Sequence, residues 1–197
     1  MDLMEKVKSS KRIYDGYKLN LRVDTVICPH DVETVKEVVE RVPGISVLPI
    51  MPDGKVLLER EYRHPFNSVL IAAPAGKSDK GETLEQTAYR ELEEETGYRA
   101  QKLQKIGEYY PAPAYSTEVI GLFIATDLIR GRIHEDKDEF IETFEVTLAE
   151  FKKMVKDGTI KDGKTVYIET WMEANGLIKN YSDRSDRDRP NRFDFSL

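Results

Sequence analysis

The sequence of 197 residues is poor in cysteine and in long apolar runs. Its single cysteine, Cys28, excludes an intramolecular disulfide framework and is typical of a protein from a reducing compartment. No run approaches the roughly 20 consecutive apolar residues that span a bilayer, and the N-terminal stretch MDLMEKVKSSKR lacks the apolar region of a signal peptide. We therefore expect a soluble cytoplasmic protein without a membrane partner.

Positive charge is also limited. The chain has 30 Lys and Arg against 36 Asp and Glu, which gives a net charge of -6 at pH 7. Because no basic stripe is interleaved with aromatic residues, we do not expect a broad surface for nucleic acid or anionic lipid. A polyanionic small molecule would have to be bound by a few local cations.

The composition predicts the domain organisation. A content of 40% hydrophobic and 34% charged residues fits one large globular domain with at most a small appendage. We expect an N-terminal β-strand subdomain at 1–42, a main domain at 43–180, and a charged, flexible tail at 181–197 that is almost free of aliphatic residues. The N-terminal strands and the last helix are consistent with a homodimer of C2 symmetry.

Apolar periodicity predicts a mixture of strands and helices. Loose alternation over about 11–25 predicts N-terminal strands, and two apolar runs flanking 52–54 (PDG) predict a β-hairpin. The other predicted elements are strands near 105–110, 119–128 and 140–147, and helices at 84–96, 148–158 and about 164–179. Helices set between groups of strands indicate an α+β sandwich, in which helices cover a mixed sheet.

The predicted helix at 84–96 is unusually acidic. Thr83 and Gln86 have the spacing of a capping box, and Gly97 stands where a helix would end in a left-handed residue. Leu84, Ala88 and Leu92 form an apolar stripe at i, i+4 and i+8 that would pack on the sheet.

Three glutamates of this helix border the apolar stripe. Glu91, Glu94 and Glu95 lie at i, i+3 and i+4, so their carboxylates gather on one side, where like charges oppose folding by about a few tenths of a kcal/mol per pair. Two interpretations remain open on spacing alone: a solvated acidic face, or a site for a hard divalent cation such as Mg²⁺. Glu85 and Glu93 are assigned to the solvated surface.

The segment 76–98 resembles the signature of the Nudix hydrolases. The matching positions are Gly76, Glu82, Arg90, Glu91, Leu92, Glu94, Glu95 and Gly97, followed by Tyr98 where an aliphatic residue is usual. The order of predicted elements is similar to the Nudix fold from about residue 11 to 180. The resemblance implies an α/β/α sandwich with a mixed β-sheet and an N-terminal β-strand extension.

The resemblance also implies a set of metal-binding and catalytic residues. Mg²⁺, with Mn²⁺ as an alternative, would be bound by Glu91, Glu94 and Glu95 with the backbone carbonyl of Ala75. Glu82 would support the site, and Arg90 would orient the glutamates through charge-assisted hydrogen bonds. The loop 134–139 would supply the general base or a further metal ligand. Glu139 is the first candidate for that role, and Asp138 and Asp136 are the alternatives.

Residues outside this segment resemble the ADP-ribose pyrophosphatase branch of the family. Pro113 stands in the stretch 109–119 (YYPAPAYSTEV), which departs from the branch at Ala114, where glycine is common. In this branch Arg63 of the stretch 61–65 (EYRHP) would bind the substrate phosphates, and Glu118 would meet the terminal ribose side. The remaining candidate is Tyr17, with Tyr14 behind it, which would stack on adenine. Each has a simpler interpretation as a surface or packing residue.

The resemblance implies a function. The expected reaction is Mg²⁺-dependent hydrolysis of ADP-ribose, or of a close nucleoside diphosphate sugar, to AMP and ribose 5-phosphate. One alternative is a Nudix hydrolase of another nucleotide, such as another sugar nucleotide or a dinucleoside polyphosphate. Another is a nucleotide-sensing module without turnover. The intact charged positions of the signature favour an enzyme.

Overall fold

A computed structural model describes residues 2–131 and 140–178. Three antiparallel strands, β1 (Lys6–Asp15), β2 (Asn20–Ile27) and β3 (Glu33–Glu40), form an N-terminal sheet in the order β1-β2-β3. The predicted N-terminal strands are therefore confirmed, but Tyr17 lies in the turn between β1 and β2 and not in a strand. Every residue of β1 is exposed.

The rest of the described chain contains seven strands and three α-helices. The strands are β4 (Gly44–Pro49), β5 (Val56–Arg63), β6 (Ser68–Ala72), β7 (Ala75–Lys77), β8 (Tyr98–Tyr109), β9 (Ile120–Arg130) and β10 (Ile141–Val146). The helices are α1 (Leu84–Thr96), α2 (Leu148–Lys156) and α3 (Gly163–Ala174). One sheet has the order β7-β4-β9-β8, and its β4–β9 pair is parallel while the other pairs are antiparallel. The second sheet is antiparallel in the order β10-β5-β6.

The prediction of a β-hairpin was correct for the turn but wrong for the pairing of its two strands. The turn at 52–54 forms, and the Met51 N–H donates to the Lys55 carbonyl at 2.8 Å. After an isolated bridge between Ile50 and Val56, however, β4 and β5 enter different sheets. Because β4 is buried throughout and bonded to β7 on one side and β9 on the other, it has no free edge for β5.

Two hydrophobic clusters place helices on opposite faces of the four-stranded sheet. Ile45 and Val47 of β4 share a cluster with Leu92 of α1, while Leu48 and Ile50 belong to the other cluster. That second cluster also contains Phe151 of α2 and Ile168 and Met172 of α3. Since successive residues of a strand point to opposite faces, α1 covers one face and α3 the other, which confirms the predicted α+β sandwich.

Helix α1 has the predicted bounds and caps. Thr83 and Gln86 form both bonds of a capping box, and Gly97 ends the helix with φ 68°, donating its N–H to the Glu93 carbonyl at 2.8 Å. Helix α3 ends at Ala174, before the predicted end near 179. In the described ranges, 2–131 and 140–178, no helix has the length and apolar character needed to cross a membrane.

Candidate active site

The acidic side of α1 lies against β7. The Ala75 backbone N–H donates to a carboxylate oxygen of Glu95 at 3.0 Å. Gly76 approaches Glu91 so closely that a Cβ atom at this position would overlap the Glu91 carboxyl group. A side chain at position 76 would therefore force the Glu91 carboxyl group to move. These two contacts fix Glu91 and Glu95 next to the strand whose Ala75 carbonyl was predicted to assist them.

Arg90 connects the glutamates. Its Nε and Nη2 each donate to Glu82 at 2.9 Å, and its Nη1 donates at 2.9 Å to both Glu91 and Glu94. Nη2 also donates to the Lys77 carbonyl at 2.9 Å. The bonds to Glu82 are the main cause that raises the pKa of Arg90, and the other carboxylates add to the rise. Arg90 therefore stays charged. One guanidinium among three carboxylates leaves an excess of negative charge, and that excess favours a cation.

The described carboxylates fit a hard divalent cation in chemistry, although they are not arranged as a finished metal site. In residues 2–131 and 140–178, no group of three His, Cys, Asp or Glu side chains is arranged to hold a metal ion. Arg90 holds Glu91 and Glu94, and Ala75 holds Glu95. Each Arg90 bond reaches one oxygen of Glu91 or of Glu94, so these carboxylates could bind Mg²⁺ without releasing Arg90.

Glu82 is a strongly stabilised carboxylate of the site. It accepts two bonds from Arg90, one from the Asp79 N–H at 3.0 Å and one from the Thr87 hydroxyl at 3.0 Å. The Arg90 bonds, followed by the Asp79 N–H, lower the pKa of Glu82 from 4.5 to about 2. Glu82 is therefore ionised at every pH at which the protein would work, and it anchors Arg90.

Glu82→Gln should lower stability at neutral pH by about 1–2 kcal/mol, because a charge-assisted bidentate pair is lost. The folded-state pKa lies below the ordinary value of 4.5, so the contribution of Glu82 is present above pH 4.5 and is lost as the pH falls toward about 2. Urea unfolding of both proteins from pH 7 to pH 3 should show the difference in free energy shrinking with acid. Glu85→Gln, on the same helix, is the control. A difference that stays constant with pH would contradict the assignment.

The structure places the predicted substrate residues in two groups. Arg63 ends β5 and forms an ion pair with Glu61 at 2.6 Å. Pro113 is exposed in a turn, where the Ser116 N–H donates to the Ala112 carbonyl at 2.9 Å. This turn leads into Glu118.

Arg41 joins Glu118 to the Tyr17 turn. It binds the Glu118 carboxylate at 3.1 Å and donates to the Lys18 carbonyl at 2.7 Å. Tyr17 is 99% exposed next to that contact. Sequence reasoning missed Arg41 because it is a single cation between strands, 77 residues from Glu118, and no local pattern marks it.

The N-terminal sheet is hydrogen-bonded to the Pro113–Glu118 loop. The Val39 N–H donates to the Tyr115 carbonyl at 2.7 Å, and the Thr117 N–H donates to the Val39 carbonyl at 3.0 Å. The Arg41 N–H donates to the Thr117 hydroxyl at 2.9 Å. This connection was not predicted. The predicted base Glu139, its alternatives Asp136 and Asp138, and the tail 181–197 lie outside the described residues.

With this geometry in place, comparison with known proteins decides the family. A family model described as the NUDIX domain matches residues 40–167. The chain belongs to the Nudix family. Helix α1 and the glutamates bound by Arg90 and Ala75 lie within the matched residues.

Relatives with curated names cover most of this Nudix chain. The ADP-ribose pyrophosphatase of Bacillus subtilis (strain 168) is 36% identical over 179 residues, covering 90% of this chain and 97% of that protein. The methanol dehydrogenase activator of Bacillus methanolicus is 32% identical, covering 89% and 96%. A GDP-mannose pyrophosphatase of Yersinia enterocolitica is 34% identical, covering 75% and 82%.

A solved structure shares the Nudix fold seen here. The crystal structure of an ADP compounds hydrolase matches with a TM-score of 0.79 at 22% identity, covering 89% of this chain and 98% of that one. This likeness confirms the predicted Nudix-type sandwich.

Proposed function

We propose that this protein is a Mg²⁺-dependent Nudix pyrophosphatase that hydrolyses ADP-ribose, or a close nucleoside diphosphate sugar, to AMP and ribose 5-phosphate. The observation that carries the proposal is the contact of the acidic side of α1 with Ala75 and Gly76. The substrate class is supported by the B. subtilis relative, which is similar over 90% of this chain.

The charged residues on and next to α1 have separate roles in this reaction. Glu91, Glu94 and Glu95 would hold Mg²⁺, with Mn²⁺ as an alternative. The bound ion would neutralise the pyrophosphate oxygens and acidify a water molecule. Arg90, anchored by Glu82, keeps the glutamates in position.

Hydrolysis adds water across the P–O–P bridge of the substrate. The water oxygen bonds to one phosphorus atom while the bridging oxygen leaves with the other phosphate. A carboxylate accepts the proton from the water, and Glu139 is our candidate for this base. Arg63 binds the phosphates, since a planar guanidinium can donate to two phosphate oxygens at once.

We assign the terminal ribose and the adenine to a second group of residues, which are Glu118, Tyr17 and Pro113. Glu118 meets the ribose side, and its ion pair with Arg41 keeps it close to the Tyr17 turn. Tyr17 stacks on the adenine, for which its 99% exposure leaves the ring face free of covering protein. Pro113 shapes the turn before Glu118.

We also propose that the protein is a cytoplasmic homodimer. Strand β1 is exposed along its whole length and carries apolar side chains at Val7 and Ile13, which are 62% and 50% exposed. A second copy of the chain would cover this strand in a C2 arrangement.

The first test is a substrate panel. ADP-ribose, ADP-glucose, GDP-mannose and a dinucleoside polyphosphate are each incubated with the protein and Mg²⁺ or Mn²⁺, and kcat/KM is measured from released product. We expect ADP-ribose to have the highest kcat/KM, by about tenfold or more, and EDTA to abolish turnover. Negligible release of AMP from ADP-ribose contradicts the proposed substrate.

Two outcomes of the panel would support other functions. Preference for GDP-mannose would match the Yersinia relative, which is 34% identical. Binding of ADP-ribose in calorimetry without product would indicate a nucleotide-sensing module.

A further inference from the structure

Glu59 is a buried carboxyl group with no hydrogen-bond partner. It lies in β5, is 0% exposed, and neither of its side-chain oxygens has a partner within the described ranges. Burying an unpaired carboxylate costs free energy that an apolar side chain would not. The preceding residues, Val56, Leu57 and Leu58, are all apolar and buried. Glu59 is thus the position in this strand that packing does not explain.

Glu59 lies close to the candidate active site. On β6, Ala72 lies opposite Glu59. The next residue, Ala73, donates its N–H to the Thr165 hydroxyl at 2.8 Å. Two residues further along the chain, Ala75 binds Glu95. Three residues of extended chain span about 10 Å at most, so a short segment connects Glu59 with the acidic side of α1.

Among the described residues, four charged groups interact electrostatically with Glu59, and we call the five together the Glu59 cluster. Glu61 and Arg63 follow Glu59 at alternate positions of β5, so the three share one face. Asp162 and Lys164, at the start of α3, form an ion pair at 2.6 Å. The strands beside β5 place Ala72 and Thr143 opposite Glu59, and neither is charged.

The cluster is electrically balanced only when Glu59 is protonated. Arg63 and Lys164 are positive, whereas Glu61 and Asp162 are negative. Burial is the main cause that raises the pKa of Glu59 to about 8; Lys164 and Arg63 oppose the rise, and Glu61 and Asp162 add to it. Glu59 therefore carries its proton at neutral pH and loses it in mildly alkaline solution.

We propose that Glu59 is a positioning residue for substrate phosphate and acts through Arg63. While Glu59 is protonated, Arg63 has one carboxylate partner among the described residues, Glu61, which a phosphate can replace. An ionised Glu59 adds a second carboxylate that attracts Arg63, and it repels the approaching polyanion. This inference rests on the function proposed above, since Arg63 is the phosphate-binding residue in that proposal.

The test compares wild type with Glu59→Gln over pH 7–9.5, using ADP-ribose and Mg²⁺. Glutamine keeps the shape of the side chain and fixes the uncharged state. At pH 7 we expect equal KM values for the two proteins. One pH unit above the pH at which Glu59 is half ionised, the wild-type KM should be about tenfold higher than that of Glu59→Gln. The two kcat values should stay alike. The fraction of protein with protonated Glu59 sets the apparent affinity.

Two further variants make the test specific. Glu169→Gln is the matched control. Glu169 is also an acid that is only 3% exposed, and one of its oxygens lacks a partner in the described residues. It lies on α3, outside the Glu59 cluster. Its KM profile should follow wild type. In an Arg63→Gln background, adding Glu59→Gln should no longer change the KM profile, since the effect passes through Arg63.

Several results would overturn the inference. These are a Glu59→Gln variant that keeps the wild-type rise of KM, a change confined to kcat, or a difference that persists without Arg63. If wild type does not hydrolyse ADP-ribose at pH 7, the proposed function fails separately. The same comparison is then made with the dissociation constant of ADP-ribose, measured by calorimetry in EDTA.

Discussion

Glu94→Gln and Glu95→Gln should each lower kcat for ADP-ribose by about 100-fold to 1,000-fold or more. Each removes one carboxylate charge from the group that would hold Mg²⁺, so the transition state loses metal-based stabilisation. The fold should persist, because glutamine can still accept the Ala75 N–H bond at position 95. Steady-state kinetics at increasing Mg²⁺ would measure both the fall in kcat and a higher Mg²⁺ requirement.

Glu93→Gln is the matched control for these two variants. Glu93 is on the same helix, next to Glu94, but it forms an ion pair with Arg99 at 2.6 Å. Its substitution should leave kcat within about twofold of wild type, as is usual for changes outside the catalytic groups. If Glu94→Gln and Glu95→Gln also stay in that range, the metal-binding assignment of these glutamates is wrong.

Gly76→Ala should lower kcat by about 10-fold to 100-fold with little loss of thermal stability. A methyl group at this position overlaps the Glu91 carboxyl group, which must move. The end of a glutamate side chain moves at small cost in folding energy, but misplacing a catalytic group by about 1 Å can cost 100-fold in rate. Kinetics and the unfolding midpoint should be measured on the same preparation.

Gly107→Ala controls for the general effect of adding a methyl group. At Gly107 the nearest side-chain atom to the new Cβ would be the Tyr167 hydroxyl at 3.4 Å, which is an ordinary contact. This variant should keep wild-type kcat. A Gly76→Ala variant that is as active as Gly107→Ala would show that the position of Glu91 does not limit the reaction.

The sequence was sufficient to predict helix α1, because its determinants are local. The Thr83–Gln86 capping box, the Gly97 terminus and the i, i+3, i+4 spacing of the glutamates all act within a few residues of the chain. The Nudix resemblance rests on the same segment, and the match to the NUDIX domain over 40–167 confirmed it. Local chemistry was thus enough to recognise the family.

Features that depend on distant contacts could not be predicted. The hairpin prediction failed because β4 bonds to β9, which lies far along the chain, and the turn at 52–54 carries no information about that partner. The pair of Arg41 with Glu118 joins residues 77 positions apart. Glu59 follows an apolar run, and its burial among charged groups of α3 depends on tertiary packing alone.

The hydrogen bonds between β3 and the Pro113–Glu118 loop fasten the N-terminal sheet to the part of the chain that matches the NUDIX domain. The family match begins at residue 40, immediately after Val39, whose backbone accepts from Thr117 and donates to Tyr115. A fragment cut at that boundary would release two backbone bonds of the loop. The smallest fragment that keeps this loop fastened must therefore include β3, and with it the sheet of which β3 forms an edge.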